Sequence, residues 1–137
     1  NPFFPMSTPP RDILTTLIQT CSIGTPSQRD DLLRTMTGIL QTLQKLIHNL
    51  TVDNVKEKHR SLNLSNPKLI QALALNTMRA PVMEVLHAIG YQLIDNGASL
   101  RYVYKTSVSK TWSFEINRAI GVVRSKSVIA MREQMHR

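Results

Sequence analysis

Residues 25–50 constrain the fold most. Thr25-Pro26-Ser27-Gln28 combines a threonine cap, a proline suited to the first helical position, and a glutamine three residues on that bonds back to the cap. Leu32, Met36, Ile39, Leu40, Leu43, Ile47 and Leu50 then recur on one helical face for about six turns, and Leu33 and Leu46 widen the stripe. So broad an apolar stripe must be covered, so this helix is predicted to pack between others. Arg34, Gln41, Gln44 and Lys45 fall on the side left for water.

The remaining chain supplies the covering elements. Asn1 to Pro10, with four prolines and the pair Phe3-Phe4, reads as an extended lead-in whose phenylalanines pack back on the domain, and residues 11–137 read as one domain. Pro10 suits a helix start, and Ile13, Leu14, Leu17, Ile18 and Cys21 repeat with helical spacing up to Ile23-Gly24. Lys56 to Arg60 is predicted to form a short helical turn. Asn66-Pro67 restarts a helix with an amide cap and a proline at its first position. Asn76 to Ala80 reads as a loop, and Pro81 as the opening of a helix with Val82, Val85, Leu86 and Ile89 on its buried side and Gly90 as its stop.

The periodicity then changes. Tyr91–Ile94 and Leu100–Tyr104 read as two strands around the turn signal Asp95-Asn96-Gly97, and a lone hairpin needs a helix or a third strand against it. From about Trp112 the pattern is helical again, with Trp112, Ile116, Ala119, Ile120 and Val123 on one side, continuing through Val128, Ile129 and Met135, with a bend at Gly121. The predicted fold class is α+β and mostly α: a compact helical domain with a small β hairpin packed on the helices.

Composition agrees with a soluble globular domain. The 137 residues are 42% hydrophobic and 19% charged, enough chain to bury roughly two-thirds of the unfolded surface. No apolar run approaches the roughly 20 residues that cross a bilayer, so no membrane partner is expected. A single cysteine at a core-like position fits a reduced compartment, here expected to be the cytoplasm or also the nucleus. No signal peptide is visible, and the opening on Asn1 rather than methionine reads as a piece excised from a longer parent. A monomer is expected. The formal net charge of +8 implies an acidic partner, whether nucleic acid, anionic membrane surface or acidic peptide.

The segment from Asn49 to Tyr91 carries the functional signal. Lys56-Glu57-Lys58-His59-Arg60-Ser61 leads into the alternating Leu62-Asn63-Leu64 and then Asn66-Pro67, a basic elbow with amides set among cations and apolar residues. Such a surface suits an extended acidic peptide, since amides bond its backbone while cations meet its charge. Asn49, Lys58, His59, Arg60, Ser61, Leu62, Leu64 and Asn66, followed by Leu86-His87-Ala88-Ile89-Gly90-Tyr91, resemble the pattern of the PUB domain, the module of peptide N-glycanase and of UBA- or UBX-containing proteins. The resemblance covers the middle third closely.

That resemblance implies a PUB-like fold and a non-catalytic adaptor that binds the acidic C-terminal tail of the AAA+ ATPase valosin-containing protein, serving ubiquitin-dependent, ER-associated degradation. Carried onto this chain, Asn66 would bond the tail's main chain and Asn49 would support it. His59 would pack on an aromatic residue of the tail, Lys58 with Arg60 nearby would meet its acidic groups, and Leu62 or Leu64 would line an apolar slot. The chain departs from the family pattern at His59, where tyrosine is usual, and at Asn63, where arginine or lysine is common, leaving Lys56 or Lys68 to compensate. A few extra residues lie between Asn66 and Gly90.

Each residue also has a plainer reading: Asn66 as a helix cap, Asn49 as a helix end, Arg60 as a salt-bridge residue, Leu62 and Leu64 as core. Enzymatic chemistry has no signature, and no cofactor is expected. The histidines at 48, 59, 87 and 136 lack ligand spacing, Cys21 lacks nucleophile context, and the glycines form no phosphate loop. The alternative is a basic helical nucleic-acid-binding module, using Arg118, Arg124, Lys126, Arg132 and Arg137 with the elbow cations. Against it stand 5% aromatic residues and no stacking or helix-turn-helix motif.

Overall fold

In the computed structural model, which describes residues 8–22, 24–52, 56–104 and 106–135, the long amphipathic run forms helix α2 (Pro26–Leu50). Its capping box closes as the sequence predicts: Gln28 N donates to Thr25 Oγ1 at 3.3 Å, and Thr25 N donates to Gln28 Oε1 at 2.9 Å. Leu33, Met36, Ile39, Leu40, Leu43, Ile47 and Leu50 are buried, while Leu32 and Leu46 sit at the stripe's partly covered margins. Each fully buried leucine or isoleucine contributes about 1.5–3 kcal/mol, so α2 is the spine of the core.

Helix α6 (Lys110–Met135) lies antiparallel along α2. Gln44 Nε2 donates to Asn117 Oδ1 near one end, and Ser127 Oγ donates to Asp30 Oδ1 at 3.4 Å near the other. Trp112, Ile116, Ala119, Ile120 and Val123 are buried as predicted. Val128 and Ile129 are not: they are 48% and 55% exposed, because the buried face passes from Val123 to Ser127 and leaves both outside it. The helix is continuous across Gly121 and starts two residues before Trp112, where Thr111 N donates to Ser109 Oγ.

Helix α1 (Pro10–Gln19) buries Ile13, Leu14, Leu17 and Ile18 against α5 (Arg79–Ile89) and α6. A 3-10 turn, Thr20–Ser22, follows it and buries Cys21. Helix α5 begins two residues before Pro81. Proline is tolerated at that third position, since the first turn of a helix has no use for its N–H groups. Phe3 and Phe4, Ile23, Asn54, His136 and Arg137 lie outside the described residues.

The predicted hairpin is part of a three-stranded antiparallel sheet in the order β1 (Ser61–Asn63), β3 (Ser99–Tyr102), β2 (Tyr91–Ile94). The register pairs Ser61 with Arg101, Leu62 with Leu100 and Tyr91 with Tyr102. Asp95 and Asn96, at φ 52° and 57°, and Gly97 at 88° turn β2 into β3 through left-handed backbone. Leu62, Leu100, Tyr91 and Tyr102 face the core, and Ser61, Asn63, Gln92 and Arg101 face outward. Val103 and Tyr104, predicted as strand, leave the ladder because β2 begins only at Tyr91, opposite Tyr102. The fold is mostly α with a small antiparallel sheet, and its buried apolar residues form one continuous cluster.

Candidate functional site

The elbow is a single helical turn run directly into a strand. Helix α3 (Glu57–Arg60) is nucleated by His59 N donating to Lys56 O at 2.9 Å, and its last residue passes straight into β1. Lys56 and Lys58 are exposed, and His59 and Arg60 are half-buried. Arg60 is committed to the fold. Its Nη1 donates to Tyr104 O at 2.8 Å, and its guanidinium carbon lies 5.9 Å from the centre of the Tyr102 ring. It therefore ties α3 to the chain leaving β3.

Leu62 and Leu64 point inward, at 9% and 5% exposure, and belong to the core. Between and after them the amides face water. Asn63 Oδ1 accepts from Ser65 N at 2.9 Å, and Asn66 Oδ1 accepts from Lys68 N at 3.0 Å, capping α4 (Pro67–Ala72). In both residues the oxygen serves the local turn, which leaves the NH2 group without a partner among the described residues. Both side chains are therefore oriented by the backbone and present donors outward.

Asn49 sits half-buried in the last turn of α2, beside a shallow hollow of about 530 Å³ lined by Gln44, Lys45, His48 and Asn49 itself. Helix α3 packs on α2, which brings the elbow to this end of the long helix. No direct hydrogen bond joins Asn49 to Asn63 or Asn66 among the described residues.

One charged pair is not legible in the sequence. Arg101 projects from the outer face of β3, opposite Ser61, where its Nη2 pairs with the Glu57 carboxylate and its Nη1 donates to Ser61 Oγ at 3.3 Å. The alternation Leu100-Arg101-Tyr102 does point Arg101 outward, but only the β1–β3 register places it at the elbow.

Among the described residues no three His, Cys, Asp or Glu side chains gather to hold a metal ion. Cys21 is buried, and burial raises its pKa, which keeps the thiol protonated. No helix of the described residues is long and apolar enough to cross a membrane. The elbow thus offers outward amide donors and exposed cations. No family model matches this sequence, and no curated protein or solved structure matches it either.

Proposed function

We propose that this domain is a PUB-like docking module, which binds the acidic C-terminal tail of the AAA+ ATPase valosin-containing protein and so delivers the protein that carries it to that ATPase. One observation carries the reading. From Lys56 to Asn66, the exposed ammonium groups of Lys56 and Lys58 are followed by the outward amides of Asn63 and Asn66, interleaved with Leu62 and Leu64 turned into the core, so cations and amide donors lie along one short stretch of chain. An extended peptide needs those two things: donors for its carbonyls and cations for its side chains. The helix–strand–helix order at 57–72, followed by α5 ending at Ile89 before Gly90, supports the same reading. The domain performs no catalysis here, and a short amide-anchored peptide held this way binds at about micromolar Kd.

Fluorescence anisotropy of a labelled decapeptide matching the ATPase C-terminus tests the proposal at physiological salt. Because Asn66 also caps α4, the informative variant is Asn66→Ser, which keeps a capping oxygen and removes the NH2 donor. Losing one well-made contact costs about 1–3 kcal/mol, so Kd is expected to rise about fivefold or more while the thermal midpoint stays within a few degrees of wild type. Absence of saturable binding by the wild-type domain would overturn the reading.

A further inference from the structure

We propose that Arg101 is a second acid-binding residue of the elbow, with Glu57 as its built-in competitor: an acidic side chain of the docked tail displaces the Glu57 carboxylate from the Arg101 guanidinium. This rests on the tail-docking function above and names the part of the site that reads charge.

Arg101 is the only charged residue in the three strands, on an outer face otherwise made by Ser61, Asn63, Gln92, Ile94 and Ser99. Its stem is anchored by the strand, and its head is aimed by Glu57 and Ser61 Oγ, which leaves further guanidinium N–H donors unengaged among the described residues. Side-chain exposure is 35% for Arg101 and 73% for Glu57, so the cation is fixed and its partner is largely in water. An ion pair of that kind is weak and exchangeable.

Arg60, the cation nearest in sequence to β1, does not fill this role, since it is engaged by Tyr104 O and the Tyr102 ring. Asn63 is the diagonal cross-strand neighbour of Arg101, roughly 7–8 Å away and somewhat less between Cβ atoms. That span matches about two residues of an extended chain. One peptide segment can therefore give a carbonyl to the Asn63 amide and a carboxylate, two residues along, to Arg101.

The test compares wild type, Arg101→Gln and Glu57→Gln by anisotropy at low salt, with the labelled tail decapeptide and with a version whose acidic side chains are replaced by amides. Arg101→Gln is expected to weaken binding of the acidic peptide about three- to fivefold, and Glu57→Gln to tighten it about twofold. Both effects should vanish with the amide peptide. The opposite signs exclude a bridge that only pins α3 to the sheet, because either substitution would break such a bridge equally. Weakening by both variants, or a change in neither, would overturn the proposal. If Asn66→Ser impairs binding and Arg101→Gln does not, the proposal falls and the docking function stands. If the wild-type domain binds no tail, both fall.

Discussion

Tyr91 is fully buried, and its phenol hydroxyl has no hydrogen-bond partner among the described residues. Its neighbour Tyr102, edge-on at 6.0 Å between ring centres, solves the same problem by donating to Thr106 O at 2.8 Å. A buried hydroxyl left unbonded costs free energy that its ring's burial must offset. Tyr91→Phe keeps the ring and removes the penalty, so it is expected to raise stability by about 1 kcal/mol, whereas Tyr102→Phe should lower it by about the same amount. Urea denaturation measures both, and a lower midpoint for Tyr91→Phe would show that the hydroxyl is satisfied in solution. The pH dependence has a definite sign. Burial, with a smaller contribution from Tyr102, pushes the Tyr91 pKa well above its ordinary 10.0. The folded state thus holds a proton that the unfolded chain loses, so this contribution is whole below about pH 10 and is lost as pH rises beyond it. Tyr91→Phe should therefore lose less stability than wild type between about pH 9 and about pH 11, one unit either side of an ordinary tyrosine.

At the scale of elements, the junction from α5 to β2 depends on Gly90. Its φ of 132° is a conformation that side chains rarely adopt, and an added Cβ would lie 2.7 and 2.8 Å from Tyr104 ring atoms and 2.9 Å from the Tyr102 ring. Its carbonyl also accepts from Val103 N at 3.2 Å, so it cannot shift freely. Gly90→Ala is expected to cost about 2–4 kcal/mol, combining backbone strain with crowding of two rings. Gly97, at φ 88° with nothing within 4 Å of where a methyl group would sit, provides the comparison: Gly97→Ala should cost only the backbone part, about 1 kcal/mol. Equal thermal midpoints for the two variants would show that the rings move aside. These junctions divide what the sequence reveals from what it hides. The Thr25–Gln28 box and the Asn66 cap join a side chain to nearby backbone, the Gly90 stop and the left-handed turn at 95–97 are local backbone conformations, and all are legible. The pairing of β1 with β3 and the bond from Arg60 to Tyr104 O join residues some forty positions apart, where periodicity carries no register. Val128 and Ile129 mislead because their apolar identity continues one turn past the point where the buried face has moved to Ser127.

Over the whole molecule, two groups of exposed cations matter within the net charge of +8, and only one of them carries the proposed site. Lys56, Lys58 and Lys68 are exposed around the elbow, joined by Arg101; Arg124, Lys126 and Arg132 are exposed along α6, where Arg118 is already paired with Glu115 at 2.8 Å. Both groups are visible in the sequence, but not which cations stand beside outward amides. That distinction needs the register that sets Arg101 opposite Ser61 and the turns that leave the NH2 groups of Asn63 and Asn66 outward. Salt dependence separates the two regions. A tail held by amides and a few ionic contacts should weaken less than about tenfold between about 50 and 200 mM salt, whereas a helix tracking roughly six to ten phosphates should lose about a thousandfold or more. Reversing one charge in each region locates the effect. Lys58→Glu should weaken tail binding and flatten its salt slope. Arg124→Glu should leave both within about twofold, because the contacts of α6 with Gln44 and Asp30 set Arg124 toward the start of α2, and the elbow packs at its end. About ten residues of helix or more, at about 1.5 Å each, separate the two, which exceeds the Debye length of about 10 Å at 0.1 M. If Arg124→Glu instead weakens binding as much as Lys58→Glu, then the long-range field of a basic protein, rather than the amide-lined elbow, is what holds the tail.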